Sequence, residues 1–265
     1  ERVEESFKND RPSQEEKWDN LKLFIEYGML TEEKFYDRAL KFALLKNTDG
    51  KYLSFEEYAT LIESNQKDKD KKLVYLYATN TEEQFAYIGV AKDKGYDVLL
   101  LDSPLCAHFV NLLESKMKDV RFVRIDSDTP EKLIPKEDIA KPDISEDEEK
   151  ALRELFQEVL PKEATFTVAF ENMGSQQLPV VITRGEWMRR YREMSALGGG
   201  MNFMGTMPES YNLVVNFEHP LVQRIRETKD RNLVSQICDL ALLANNLLKG
   251  EALSTFIKRS VDIIQ

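Results

Sequence analysis

The chain has 265 residues, of which 42% are apolar and 32% are charged, and its formal net charge is -10 at pH 7. This apolar content supports one large or two ordinary domains and excludes disorder over the whole length. The acidic balance argues against nucleic acid and anionic membranes as partners, because both are themselves negatively charged. The sequence has no run of about 18 apolar residues that would predict a membrane span.

The first residue and the two cysteines lead to further expectations. The first residue is Glu1, within a charged helical pattern, so we expect the chain to be part of a longer protein. Cys106 and Cys238 lie far apart in apolar helical patterns, which is typical of buried, reduced thiols. With no signal-peptide pattern at the start, these features predict a protein of the cytoplasm.

Residues 1–63 are predicted to be helical. The stretch "EEKWDNLKLFIEYG" places its apolar side chains on one face, and Gly28 is expected to stop this helix. Thr31 is expected to cap a second helix, "EEKFYDRALKFALLK". Ser54 and Glu57 have the spacing of a capping box before a third helix.

Residues 64–143 are predicted to form a small three-layer α/β subdomain. The short apolar runs "KLVYLYAT", "YDVLLLD" and "VRFVRID" alternate with two helical patterns. Strands that alternate with helices predict a short parallel sheet covered on both faces. The polar, proline-containing stretch from Pro130 to Glu149 predicts a linker, and we place the domain boundary between residues 143 and 144.

Residues 144–265 predict an α+β domain. The runs "ATFTVAF", "LPVVITR" and "YNLVVNF" predict a three-stranded sheet, and only helical patterns follow His219 and Pro220. The two terminal helices carry more apolar positions than one small domain can cover, so we expect them to form a four-helix bundle with a second copy of the chain. The predicted interface residues are Ile237, Leu240, Ala244, Leu247, Leu253, Phe256, Ile257, Val261 and Ile264.

The sequence gives no positive sign of catalysis. The turn after the first predicted parallel strand, "ATNTEEQF", contains no glycine, and Gly198 to Gly200 are not followed by the Lys-Ser/Thr pair of a phosphate-binding loop. The chain has two histidines, and His108 lies two residues from Cys106, so the two side chains point to different faces of a helix. We therefore predict no catalytic residues, no metal ligands and no cofactor in this chain.

Five of the eight methionines lie between Met188 and Met207, beside three consecutive glycines. The preceding helix, predicted over residues 185–197, has apolar side chains on one face, and the apolar content continues beyond it. One interpretation is an amphipathic helix packed on its own sheet. The other is an adaptable binding surface, since methionine is common where a surface meets many partners.

Three stretches resemble the ninety-kilodalton heat-shock chaperone family. "MGTMPESYNLVVNFEHPLV" resembles the C-terminal domain of the family, and "DLALLANNLLKGEALSTFIKRSVDII" resembles its dimerising end. "FIEYGMLTEEKFYDRALKFALLKNTDGKYLSFEEY" resembles the helices of its middle domain. The resemblance covers essentially all of the chain, in family order. It implies that residues 1–143 are the end of a middle domain and that residues 144–265 are a C-terminal dimerisation domain.

The resemblance also implies a function. The family is a homodimeric, ATP-driven chaperone of the stress response, whose N-terminal domain binds ATP and Mg. That domain is expected to be missing here, so the parent protein should be an ATPase and this chain should not be an enzyme. The expected partners are a second copy of the chain, unfolded or partly folded client proteins and co-chaperones.

Two client-contacting regions follow from the same resemblance. The first consists of Trp187, Met188, Tyr191, Met194, Leu197, Met201, Phe203 and Met204. The second is a helix of the α/β subdomain with His108, Phe109 and Asn111, where relatives can present a tryptophan in place of His108. Two alternatives stay open: a small α/β ligand-binding enzyme domain, and a purely structural dimerisation module whose methionines are all buried.

Overall fold

The computed structural model describes residues 10–137, 140–197 and 209–264. These residues form eleven helices and eight strands, in a mixed α/β arrangement. They divide into two compact units. Within the described residues, the first unit comprises 10–126, 132–137 and 190–197, and the second comprises 127–131, 140–189 and 209–264.

The first two helices correct the prediction for this region. Helix α1 spans Arg11–Thr31 and continues through Gly28, and helix α2 spans Glu33–Ala39 with Glu32, not Thr31, as its N-cap. A Cβ atom at Gly28 would lie 2.8 Å from the ring of Phe35. The glycine therefore permits close packing of α1 against α2 and does not end the helix.

A hairpin follows where a longer helix was predicted. Strands β1 (Leu44–Lys46) and β2 (Tyr52–Ser54) pair antiparallel, so residues 1–63 are not all helical. The side-chain oxygen of Asn47 accepts hydrogen bonds from the backbone N–H groups of Asp49 and Lys51, which shapes the turn. Helix α3 (Phe55–Ile62) then begins with the predicted capping box of Ser54 and Glu57, which is confirmed.

A three-stranded parallel sheet is the centre of the first unit. Its strands are β3 (Leu73–Ala78), β4 (Val98–Leu100) and β5 (Val120–Arg124), in the order β4-β3-β5. Helix α4 (Phe85–Asp93) connects β3 to β4, and helix α5 (Cys106–Lys116) connects β4 to β5.

Alternate residues of β3 pack on opposite faces of this sheet. Tyr75 and Tyr77 belong to the core that contains Val110 of α5, whereas Leu76 belongs to the core that contains Ile88 of α4. Both faces are therefore covered, which accounts for the nearly continuous apolar sequence of the strand.

The second unit contains helix α7 (Glu146–Gln157) and a mixed sheet; the short helix α6 (Pro130–Leu133) precedes them. The sheet has the order β6-β8-β7, with bounds Thr165–Glu171, Ser210–Asn216 and Val180–Thr183. Strand β8 pairs parallel with β6 and antiparallel with β7. Helix α8 (Glu186–Leu197) lies between β7 and β8 in the sequence.

Three helices complete the second unit: α9 (Pro220–Thr228), α10 (Arg231–Ala244) and α11 (Gly250–Ile264). Each of these helices packs in one core with the sheet, through Val222, Ile237 and Phe256 respectively. Both cysteines are buried and outside any disulfide, as predicted, and burial raises the pKa of the Cys238 thiol. Of the helices described, none is long and apolar enough to cross a membrane.

The "YNLVVNFEHPLV" segment acts as a structural junction. The fully buried side chain of Asn216 accepts from the backbone N–H groups of Met173 and Glu218 and donates to the carbonyl of Gly174 at 2.8 Å. His219 caps α9, because its Nδ1 atom accepts from the N–H of Leu221. These contacts give Asn216 and His219 a structural role in this segment.

Candidate client-binding surface

Helix α8 exposes a row of large apolar side chains. Trp187 is 70% exposed, Met188 36% and Tyr191 45%. They lie at helical spacing, so they share one side of the helix. Met194 continues the row and is half-buried. The side chain of Leu197 lies outside the described residues, as do the predicted contacts Met201, Phe203 and Met204.

The second half of α8 belongs to the first unit and is held there by charged contacts. Arg190 lies 2.6 Å from the carboxylate of Glu114 on α5, and it also donates to the backbone carbonyl of Phe122 on β5. Glu193 accepts from Arg124 of β5 at 3.2 Å. The charged side chains of α8 therefore contact α5 and β5, which a single sequence does not show.

The three residues of the second predicted region differ in burial. Phe109 is 5% exposed and lies in the first unit's core, so it is not available to a surface ligand in this structure. His108 is half-buried. Asn111 is also half-buried and contacts the first region directly, because its amide donates to the sulfur of Met194 at 2.9 Å.

The predicted interface residues on the terminal helices fall into two groups. Ile237 and Phe256 are buried in the core of their own chain, and Leu247 and Leu253 are half-buried against that core. The others are exposed: Leu240, Ala244, Ile257, Val261 and Ile264. Leu243 and Ile263 are exposed as well and were not in the predicted set.

Polar contacts join helix α11 to helix α10. Arg259 pairs with Asp239 at 2.5 Å, and Gln236 donates to Ser260 at 2.9 Å. The exposed apolar side chains project from this pair of helices.

The turn after β3 is not arranged to bind phosphate. The side-chain oxygen of Gln84 accepts from the N–H groups of Thr79 and Asn80. The side-chain oxygen of Asn80 in turn accepts from the N–H groups of Glu82 and Glu83. Backbone N–H groups that a bound phosphate would need are thus already engaged, and two carboxylates lie beside them.

A small cavity of about 20 Å³ in the first unit is lined by Trp18, Glu26 and Met29, among others. It has room for about one water molecule, so it is too small for a nucleotide or a sugar phosphate. Burial raises the pKa of the Glu26 carboxyl to about 6. In the part of the chain that the structure describes, no three His, Cys, Asp or Glu side chains come together to hold a metal ion.

Comparison with known proteins decides the family. The family model described as "Hsp90 protein" matches residues 4–249, which is most of the chain. The chain belongs to the Hsp90 family. The matched range includes α8 and α10 and ends directly before α11.

Three of the relatives named chaperone protein HtpG illustrate the similarity. The chain is 41% identical to the one from Bacteroides fragilis (strain YCH46), over 99% of the chain and 49% of that protein. It is 42% identical to the one from Porphyromonas gingivalis (strain W83), over 98% of the chain and 48% of that protein. A more distant one, from Ruthia magnifica, is 27% identical over 97% of the chain and 41% of that protein. The chain thus spans about half the length of the curated Hsp90 relatives that it matches most strongly.

Proposed function

We propose that this chain is part of a cytoplasmic, homodimeric chaperone and that it binds unfolded or partly folded proteins on α8. The observation that carries the proposal is the exposed row of Trp187, Met188 and Tyr191 on one helix of an Hsp90-family chain. Single exposed apolar residues are common, but a contiguous set of large ones usually marks an interaction site.

The chemistry of this row fits clients of no fixed sequence. Trp and Tyr offer large, rigid contact areas with a polar atom at the edge, and Met adapts to irregular shapes. None of these side chains requires a particular hydrogen-bonding partner on the client. Selectivity would therefore be for exposed apolar segments, which partly unfolded proteins present and native proteins bury.

We propose in addition that the exposed faces of α10 and α11 join two copies in a four-helix bundle. Each large apolar side chain that is buried gains roughly 1.5–3 kcal/mol. The exposed residues are Leu240, Leu243, Ile257, Val261 and Ile263, and each is only about half exposed. Two copies together therefore gain roughly 8–15 kcal/mol, which is comparable with the association cost of about 4–15 kcal/mol. The dimer would then be stable but able to dissociate at low concentration.

We further propose that ATP hydrolysis takes place in a different part of the family proteins. The turn after β3 supports this proposal, because its backbone amides are engaged by the side chains of Gln84 and Asn80. ATP with Mg would thus act in a region that this chain does not span. Co-chaperones and the stress response would belong to that longer protein.

The test is direct binding of an unfolded polypeptide. Fluorescently labelled, reduced and carboxymethylated α-lactalbumin, which cannot fold, is titrated with the chain while anisotropy is recorded. The double variant Trp187→Ala/Tyr191→Ala removes two exposed rings of α8. Leu178→Ala is the matched control, because Leu178 is 62% exposed but lies in the connection between β6 and β7.

We expect the α8 double variant to bind at least about tenfold more weakly, since two aromatic contacts are lost, and the Leu178 control to bind like wild type. Equal weakening in both would indicate nonspecific apolar adhesion. Absence of binding by the wild type, with a dimer still present in sedimentation, would leave a structural dimerisation module as the function.

A further inference from the structure

One face of α8 contacts the rest of the first unit and is called the docked face here. It lies beside the exposed apolar row of the same helix. Arg190, Glu193 and Met194 point to the first unit, at positions three and four residues apart on the helix. Trp187 and Tyr191 lie on the neighbouring, exposed side. One face of α8 therefore contacts the first unit, and the neighbouring face is exposed to solvent.

The docked face is held mainly through charge. The Arg190 guanidinium is 13% exposed and Glu114 28%, and the pair is reinforced by the bond from Arg190 to the carbonyl of Phe122. On the second pair, Arg124 is 8% exposed and also bound by Asp126, whereas Glu193 is 38% exposed. Solvent reaches both glutamates, so water and ions can compete for these bonds.

Docking also covers one side chain of the predicted client surface. Asn111 donates to the sulfur of Met194, and the same amide group accepts from Arg190 at 3.1 Å. Asn111 and Met194 satisfy each other while the helix is docked. Both side chains are half-buried, and the hydrogen bond between them occupies their polar atoms while the contact is closed.

From these contacts we infer that Arg190 and Glu193 form an electrostatic latch, and that opening it adds Met194 and Asn111 to the client-binding surface. This inference rests on the proposed binding of clients by α8. In the docked state, the client-binding surface is partly covered. Trp187, Met188 and Tyr191 are exposed, whereas Met194 is held against α5. A helix of this length is marginally stable when undocked, so opening would also loosen its backbone.

The experiment compares wild type with Glu114→Gln/Glu193→Gln. Both changes keep side-chain shape, and a glutamine at position 114 can still accept from the N–H of Phe122, as Glu114 does at 2.7 Å. Glu186→Gln is the matched control, because it removes a carboxylate from the same helix whose ion pair with Arg189 lies within α8. Hydrogen exchange over residues 190–197 reports docking without any client, and anisotropy with carboxymethylated α-lactalbumin reports binding.

We expect exchange over 190–197 to quicken about tenfold in the double variant and client affinity to rise several-fold, with the control unchanged in both. Unchanged exchange would overturn the latch. Faster exchange with equal or weaker client affinity would overturn its gating role. Failure of the wild type to bind the client at all would overturn the proposed function, and the exchange data would still show separately whether α8 is latched.

Discussion

The side-chain amide of Asn111 donates a hydrogen bond to the sulfur of Met194 at 2.9 Å. The two residues were predicted as members of two separate client-contacting regions, 83 positions apart in the sequence. The contact joins helix α5 to the second half of α8 within the first unit. If clients bind on α8, the polar edge of that surface is therefore built by α5.

The packing of Gly28 against Phe35 gives a test of the first unit. A Cβ atom at position 28 would lie 2.8 Å from the Phe35 ring, so Gly28→Ala should force the helices apart and cost about 1–3 kcal/mol of unfolding free energy. Gly89→Ala is the control, since it lies in α4 with nothing within 4 Å of the added atom. It should stabilise by about 0.5–1 kcal/mol. Urea unfolding measures both, and stabilisation by both changes would contradict this role of Gly28.

Asn216 should be essential to the stability of the second unit. Its side chain is fully buried and bonds four backbone groups of the loop after β6 and the turn after β8. Asn216→Ala leaves these groups without that partner and should cost about 3 kcal/mol or more. Asn212→Ala, on the same strand but with a single long bond to Thr183, should cost less than about 1 kcal/mol. Similar losses for the two variants in urea unfolding would show that Asn216 is not a special junction.

The buried carboxyl of Glu26 predicts a pH dependence. Burial raises its pKa to about 6, above the value of 4.5 for an exposed carboxyl. The folded state therefore binds the proton more tightly than the unfolded state, and the stability from this group is present below pH 4.5 and lost as the pH rises through 6. Glu26→Gln should thus be about 1–2 kcal/mol more stable than wild type at pH 8, and the difference should shrink towards pH 5. Urea unfolding of both proteins across this range checks it, and a difference independent of pH would refute the assignment.

The dimer is best tested by point changes on the exposed face of α11. Deleting the whole helix would also remove Phe256 from the core, so it would test the fold as well as the interface. Ile257 and Val261 are 52% and 47% exposed, and Ile257→Ser/Val261→Ser should weaken a dimer by about 100-fold or more, because both copies lose contacts. Leu178→Ser is the control for loss of an exposed apolar group. Sedimentation from nanomolar to micromolar concentration gives the dissociation constants, and a monomer at every wild-type concentration would rule out the bundle.

Sequence patterns succeeded where the local signal and the tertiary packing agree. The capping box at Ser54 and the apolar strands of the parallel sheet are examples. The helix-stop rule failed at Gly28 because the packing demand of Phe35 outweighs the local preference of glycine. The β1–β2 hairpin was missed because "FALLK" fits a helix, although the turn residues from Asn47 to Gly50 were the signal that could have found it.

The sequence predicts only those features of the candidate site that depend on the spacing of residues along one helix. Helical spacing placed Trp187, Met188 and Tyr191 on one side, and the structure exposes them. Spacing does not say which face of a helix meets the core, so it could not show that Phe109 is buried. The partners of Arg190 and Glu193 are more than 60 positions away in sequence, beyond any local pattern.

Methyl NMR of methionine tests the central claim most directly. The chain is labelled with ¹³C at its methionine methyl groups and titrated with carboxymethylated α-lactalbumin. Met188 and Met194 lie on the proposed surface, whereas Met29 and Met173 are buried at 2% and 6% exposure and serve as internal controls. If α8 binds clients, the Met188 and Met194 signals shift or broaden while those of Met29 and Met173 stay in place. If the client leaves Met188 and Met194 unchanged, or shifts all four signals alike, α8 is not the client-binding surface.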